Sequence, residues 1–258
     1  MTSSSATQLT YRCPKCGREN RPLELNILGQ TRYIRRVCPC MDEERQREEA
    51  ARQELERKLR IEKLFSVAEL GPRFAECTFE NWRSRPGTAA AYRAALEYAK
   101  RFEEHRRAGS GLIIYGQPGT GKSHLAAAIT NRLLSQGIPC IFQSVPALLK
   151  RIQATWDGGT VKERDLIQAL TEADLLVLDD AGAEQWSTWS ESTLYYVVDE
   201  RYRWKRPLVV TSNCDPEFLE RQVGARTFDR LAEMCFIVAN QGSSYRKERA
   251  RARLRREA

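Results

Sequence analysis

Long apolar runs are missing from this 258-residue chain, and no stretch approaches the length of a bilayer span. The first residues, Met-Thr-Ser-Ser-Ser-Ala, also lack the apolar core of a secretory signal. Together these absences exclude a spanning membrane protein and predict a soluble, cytoplasmic one with no membrane partner. Acidic charge is also in short supply, with 34 Asp and Glu against 42 Lys and Arg, a formal net charge of +8 and a pI near 9.2. A basic balance favours an anionic partner such as nucleic acid. Much of the excess sits in Tyr245 to Ala258, where Arg246, Lys247, Arg249, Arg251, Arg253, Arg255 and Arg256 face only Glu248 and Glu257. A solvated tail is the other reading of that stretch.

What is present is organised around Gly111-Leu-Ile-Ile-Tyr-Gly-Gln-Pro-Gly-Thr-Gly-Lys-Ser-His124. It reads as a buried strand, a glycine-rich loop and the start of an alanine-rich helix. Gly116, Gln117, Pro118, Gly119, Thr120, Gly121, Lys122 and Ser123 fit the P-loop pattern, with His124 following. In that pattern backbone N–H groups wrap the phosphates of ATP, the lysine reaches the β and γ oxygens, and the Ser123 hydroxyl holds Mg²⁺. The helix beginning at Lys122 adds its positive dipole end.

Eight cysteines fall into two groups. Cys77, Cys140, Cys214 and Cys235 lie among apolar neighbours and read as small buried hydrophobes. Cys13 and Cys16, then Cys38 and Cys40, form two close pairs able to present four thiolates to one tetrahedral Zn²⁺. Between them Leu23 to Leu28, Gly29-Gln30 and Thr31 to Val37 read as a hairpin. A module this short has little core of its own, so metal is expected to supply most of its folding energy. Disulfides or redox thiols are the alternative, and a cytosolic setting argues against structural disulfides.

Met41 to Phe65 predicts a charged spacer helix, with Glu43/Arg47, Glu48/Arg52, Glu54/Lys58 and Glu56/Arg60 at i, i+4 and a thin apolar stripe through Ala51, Leu55 and Leu59. Gly71-Pro72 breaks it, and an irregular lead-in runs from Arg73 to Trp82. Thr88 is expected to cap a helix reaching about Arg107. Strands and helices then alternate: Ile138 to Gln143, Val145 to Trp156, Val161 to Leu170, Asp174 to Leu178, Glu191 to Lys205, Pro207 to Thr211, a helix after the Asp215-Pro216 cap, and Cys235 to Val238. The alternation predicts an α/β fold with a parallel sheet between helices. Asp179 and Asp180 would then stand at a strand's C-terminal end, where open α/β sheets bind ligands, as a Walker B pair ordering Mg²⁺ and polarising water. Asn213, ending the next strand, is placed to touch the γ-phosphate or the attacking water, a turn role being the alternative.

Gly-Gln-Pro-Gly-Thr-Gly-Lys-Ser, Leu-Val-Leu-Asp179-Asp180-Ala-Gly-Ala-Glu184, Asp199-Glu-Arg-Tyr202, Val-Thr-Ser-Asn213, Arg226-Thr-Phe-Asp-Arg230-Leu and Ser-Tyr245-Arg246 occur in that order. Over about residues 66 to 249 the series resembles the DnaC/DnaI family of AAA+ replicative helicase loaders. The cysteine pairs and charged helix resemble the zinc-containing N-terminal domain of DnaI-like and phage-encoded members.

The resemblance implies an ATPase that grips single-stranded DNA, delivers a hexameric replicative helicase through its N-terminal domain and self-associates with ATP. It makes Asn213 sensor 1, Arg230 the arginine finger acting on a neighbouring subunit's ATP, and Arg246 sensor 2. It places Lys150, Arg151 and Trp156 on a DNA-facing helix, an ordinary surface helix being the alternative. The Asp-Asp pair, where Glu is often second in AAA+ proteins, points to slow turnover, and no compact lid domain follows the last strand. The expected division is 1–40 zinc module, 41–70 linking helix, 71–244 AAA+ domain and 245–258 basic tail. Two rivals stay open: an IstB-type transposition helper ATPase, whose usual N-terminus has no cysteine pairs, and a zinc-dependent nucleic-acid-binding module with ATP as a conformational ligand.

Overall fold

Residues 10–27, 29–65, 70–158, 161–182 and 187–257 are described by the computed structural model, the side chains at 157 and 255–257 excepted. The readings of the first six residues, of residues 159–160, and of residues 183–186 including Glu184 lie outside the described residues. The chain divides into two compact units, Met1–Arg57 and Lys58–Ala258.

The first unit contains two short antiparallel pairs and most of a helix. β1 (Tyr11–Arg12) pairs with β2 (Glu19–Asn20), and β3 (Leu23–Ile27) pairs with β4 (Gln30–Ile34) in a hairpin register that sets Leu23 opposite Ile34 and Ile27 opposite Gln30. α1 (Pro39–Leu64) follows. It starts two residues earlier than the charge pattern suggested, because Pro39 is preorganised for a first turn. Asp42–Arg45 and Glu54–Arg57 pair three residues apart at 2.8 and 2.7 Å, and Arg52 approaches Glu56 at 3.8 Å.

The second unit is an α/β sandwich. Its elements are α2 (Gly71–Ala75), α3 (Ala89–Lys100), α4 (Phe102–Ala108), β5 (Gly111–Tyr115), α5 (Lys122–Leu134), β6 (Cys140–Ser144), α6 (Val145–Gln153), α7 (Glu163–Glu172), β7 (Leu175–Ala181), α8 (Thr188–Arg203), β8 (Leu208–Ser212), α9 (Pro216–Val223), α10 (Ala225–Met234), β9 (Cys235–Ala239) and α11 (Tyr245–Glu257). The five strands run parallel in the order β6-β7-β8-β5-β9. Alternation along each strand feeds two cores. Leu112, Ile114, Leu175, Val177 and Val209 pack under α3 and α5, while Ile113, Leu176, Leu178, Leu208 and Val210 pack under α6, α7 and α8. Ile61, Leu64 and Phe65 join the second of these cores. Among the described residues no helix is long and apolar enough to cross a membrane.

Three local expectations are corrected. Gly71-Pro72 opens α2 instead of leading straight into irregular chain, since proline is tolerated in a first turn. The helix after Thr88 breaks at Arg101 into α3 and α4, and Thr88 makes no side-chain cap because its hydroxyl bonds back to the Arg85 carbonyl at 2.7 Å. The basic tail is helical from Tyr245.

Arg201 is fully buried between α7 and β8. Its guanidinium donates to the carbonyls of Leu170 at 2.7 Å, Ala173 at 3.0 Å and Pro207 at 2.5 Å, and burial lowers its pKa to about 9. Arg201→Leu removes donors from carbonyls that no water reaches. We expect a loss of about 3–5 kcal/mol, read as a lower urea midpoint, against almost none for the exposed Arg203→Leu.

Candidate nucleotide site

Strand order builds the site. β8 lies beside β5, so Asn213 at the end of β8 abuts the loop that leaves β5, and Asp179 and Asp180 arrive from β7 next door. Together with Lys122, Ser123 and Arg246 they line one cavity of about 550 Å3. The loop needs glycine where its backbone turns left-handed against other chain. Gly119 has φ +85° with Ser244 where a Cβ would lie, and Gly121 has φ +104° against the Trp82 ring.

Lys122 is 4% exposed. Its Nζ donates to the Gly116 carbonyl at 2.8 Å, the Gln117 carbonyl at 3.1 Å and the Asn213 side-chain oxygen at 2.8 Å. The Asn213 amide in turn donates to Asp180 at 2.6 Å. The expected phosphate cation, sensor and second acid are thus one hydrogen-bonded chain. Asp180 sits at φ +60° inside an irregularity of the β7–β8 ladder, a left-handed conformation that non-glycine residues rarely hold. Its backbone N–H donates to the Thr211 hydroxyl at 3.0 Å, and that hydroxyl donates to Asp179 at 2.5 Å. Burial raises the Asp179 pKa, with the Thr211 and Ser123 hydroxyls pulling the other way. A buried carboxylate beside a serine hydroxyl is a hard-oxygen pair suited to Mg²⁺.

Burial pushes the Lys122 pKa down to about 8, which Asp180 and Asp179 only partly offset. A triphosphate favours the charged form, so binding near pH 9 must take up a proton, whereas below about 8 the proton is already there. Nucleotide affinity is therefore expected to fall as pH rises from about 8 to 10.5, by up to about tenfold per unit. Calorimetry in buffers of different ionisation enthalpy reads the uptake, and Lys122→Arg, which keeps its charge, flattens the profile. The sign for stability is opposite. The unfolded lysine still holds a proton that the folded one has released, so this group adds stability as pH rises through the same window.

His124 lines the cavity but bonds to the Thr78 carbonyl at 2.9 Å and packs on Trp82 at 5.3 Å; burial lowers its pKa. Sequence reasoning missed the residues that brace the loop. Arg85 donates to the Thr120 carbonyl at 2.5 Å and to that of Ser243, and buried Asn240 donates to Thr120 at 3.2 Å. Neither belongs to a local motif, so no short pattern signals them.

Arg230 does not line this cavity. On α10 it reaches Asp199 at 3.3 Å and lies over the Tyr202 ring at 4.6 Å, which gives the Asp199-Glu-Arg-Tyr202 segment its job. Arg226, one turn earlier, is exposed. On α6, Lys150 is exposed, while Arg151 turns inward to the Leu64 carbonyl and lies over Phe65 at 4.4 Å. Trp156 is 56% exposed, meets Trp189 edge-on at 5.0 Å and donates to Glu163 at 3.0 Å.

In the other unit the sulfurs of Cys13, Cys16, Cys38 and Cys40 all lie within 4.8 Å of one another, with three pairs at 3.5 to 3.6 Å. Tetrahedral Zn–S bonds of about 2.3 Å set sulfurs about 3.8 Å apart, so the group fits zinc, and the separations exclude a disulfide. Backbone N–H groups of Cys16 and Lys15 lower the Cys13 pKa, whereas the neighbouring Cys16 thiol and burial raise that of Cys40 to about 12. A divalent cation resolves that conflict. Gly17 at φ +70° closes the first knuckle, and Cys40 reaches the group from the first turn of α1, which is why one residue suffices between it and Cys38.

The family model described as "IstB-like ATP binding protein" matches residues 31–253. The replicative helicase loader DnaC of Escherichia coli K12 is 30% identical over 197 residues, 75% of this chain and 79% of its own. The crystal structure of the DnaC helicase loader superposes with a TM-score of 0.59 at 23% identity, covering 66% of this chain and 99% of that one. The DnaI crystal structure does so at 0.56 and 22%, covering 65% and 92%. At those identities the structures speak to the fold alone. The chain belongs to the IstB-like ATP-binding family and, within it, to the AAA+ ATPases related to the DnaC helicase loaders.

Proposed function

We propose that this protein is an ATP-dependent loader that places a replicative ring helicase on single-stranded DNA. The observation that carries the reading is the cavity in which Lys122, Ser123, Asp179, Asp180, Asn213 and Arg246 meet, in a chain 30% identical to DnaC across most of both lengths. Lys122 and the loop amides hold the triphosphate of ATP, Ser123 and Asp179 hold Mg²⁺, and Asp180 with Asn213 orients the attacking water. When bound there, Mg²⁺ would supply charge neutralisation to the phosphates. Arg230 stands outside its own chain's cavity and is held ready by Asp199 and Tyr202, which supports a role on a neighbour's nucleotide. Hydrolysis is then slow in the monomer and rises on ATP-dependent assembly. The Trp156–Trp189 ring pair suits base stacking, and exposed Lys150, six residues before Trp156 in the chain, suits phosphate contact with single-stranded DNA. The four-cysteine unit, with zinc bound, contacts the helicase.

The test is co-purification with the host's replicative helicase, with and without ATP, using the intact chain and Cys38→Ser/Cys40→Ser. Retention by the intact chain and loss in the variant is the expected result. Retention by neither, with capture by a transposase on DNA instead, would replace this reading with the transposition helper.

A further inference from the structure

α11 is anchored at its start and, over its described side chains from Arg246 to Leu254, exposed. Its start is fixed to the phosphate loop: Tyr245 N–H donates to the Gly119 carbonyl at 3.0 Å, and Arg85 holds the Ser243 carbonyl while lying 5.5 Å from the Tyr245 ring. Beyond that turn the helix is exposed, down to Leu254 at 68%.

Arg246, Lys247, Arg249, Arg251 and Arg253 share this helix with Glu248, which accepts from Ser243 at the helix start, and with Glu257 at its far end. Among the described residues none of the five cations has an acidic partner. Lys247/Arg251 and Arg249/Arg253 are instead like-charge pairs at i, i+4, a spacing that weakens an isolated helix. A segment with this self-repulsion is relieved by an external polyanion.

The helix period divides the cations. Arg246 and Arg249 line the nucleotide cavity, whereas Lys247 and Arg251 project from a different face; Arg253 continues the Arg249 face one turn beyond the cavity rim. No aromatic group accompanies the outward set, so its chemistry is charge without stacking, which fits phosphodiester and not base edges.

We propose that α11 is an arm that grips the backbone of single-stranded DNA through Lys247, Arg251 and Arg253 from the rim of the nucleotide cavity. The proposal rests on the reading of this chain as an ATPase that engages single-stranded DNA, and adds a contact that the loader resemblance does not contain. Because Arg246 and Arg249 share the helix with the arm, nucleotide and DNA affinities are coupled through it, and the coupling is reciprocal.

The test compares the intact chain with the full-length triple variant Lys247→Gln/Arg251→Gln/Arg253→Gln, with a fluorescent oligo(dT) titrated across a salt series. Glutamine is a good helix former and removes the repulsion, so the helix survives. Loss of three single-strand phosphate contacts should lower the slope of log K against log salt by about 2 and weaken binding at low salt at least tenfold. Nucleotide affinity should stay unchanged. An unaltered slope would overturn the proposal and leave α11 a solvated tail, and so would a loss of DNA binding that simply tracks a loss of nucleotide binding. Helicase co-purification is read separately, so failure of the arm and failure of the loader reading are distinguishable.

Discussion

Arg230→Ala is expected to lower ATP hydrolysis by about 10³-fold while leaving ATP binding intact, and to recover activity when mixed with the equally inactive Lys122→Ala. The reasoning is geometric. Arg230 is fixed by Asp199 and Tyr202 on the α8–α10 face and takes no part in the cavity lined by Lys122 and Asp179. An arginine that stabilises developing phosphate charge only across a subunit boundary can be supplied by a partner whose own pocket is dead. In a random equal mixture about a quarter of sites combine an intact pocket with an intact arginine, so about that share of wild-type rate returns. An arginine with a purely structural role gives no such rescue. Asp199→Asn should slow hydrolysis less than Arg230→Ala, because it loosens the arginine's orientation and keeps its charge. A stimulated rate that stays flat with protein concentration in the wild type would count against the whole scheme.

The fold and the centre of the site were legible because their signals are local. Glycine, lysine and serine in an eight-residue loop, and an acid pair at a strand end, carry their chemistry wherever they occur in an α/β chain. Asn213 was readable from its place after a β-run. Other parts depend on contacts between distant segments. Arg85 reaches Thr120 and Ser243, Asn240 reaches Thr120, and Asp199 reaches Arg230 thirty-one residues on. None has a sequence period to announce it. Nothing local in the Asp199-Glu-Arg-Tyr202 segment marks Arg201, yet it is the most deeply buried cation of the described residues, with three backbone carbonyls converging on it. Arg151, which the resemblance places on a DNA-facing helix, bonds to the Leu64 carbonyl and lies over Phe65. Thr88 had the residue type of a cap, but its hydroxyl found the Arg85 carbonyl first.

Removal of zinc is expected to unfold the first unit and leave the ATPase fold standing. The hairpin cannot hold itself: Leu23, Ile27, Tyr33 and Ile34 are 40 to 49% exposed, so apolar burial contributes little. Among the described residues only Cys13, Asn20 and Cys38 are buried between residues 10 and 40, and all three lie at or beside the sulfur group. Binding of one Zn²⁺ to four thiolates, worth on the order of 10 kcal/mol, would then supply most of the unit's folding free energy. Purified protein should carry one zinc per chain. Stripping it with a strong chelator, or substituting Cys16→Ser, should free the thiols to titration and collapse the hairpin amide shifts in an NMR spectrum. The second unit keeps its own two cores, so nucleotide binding should survive the same treatment. Because that unit carries the ATP site, metal loss then separates the two halves of the proposed activity: helicase capture fails while assembly-dependent hydrolysis continues. A metal-free protein with intact hairpin shifts would show that the four sulfurs converge for a different reason.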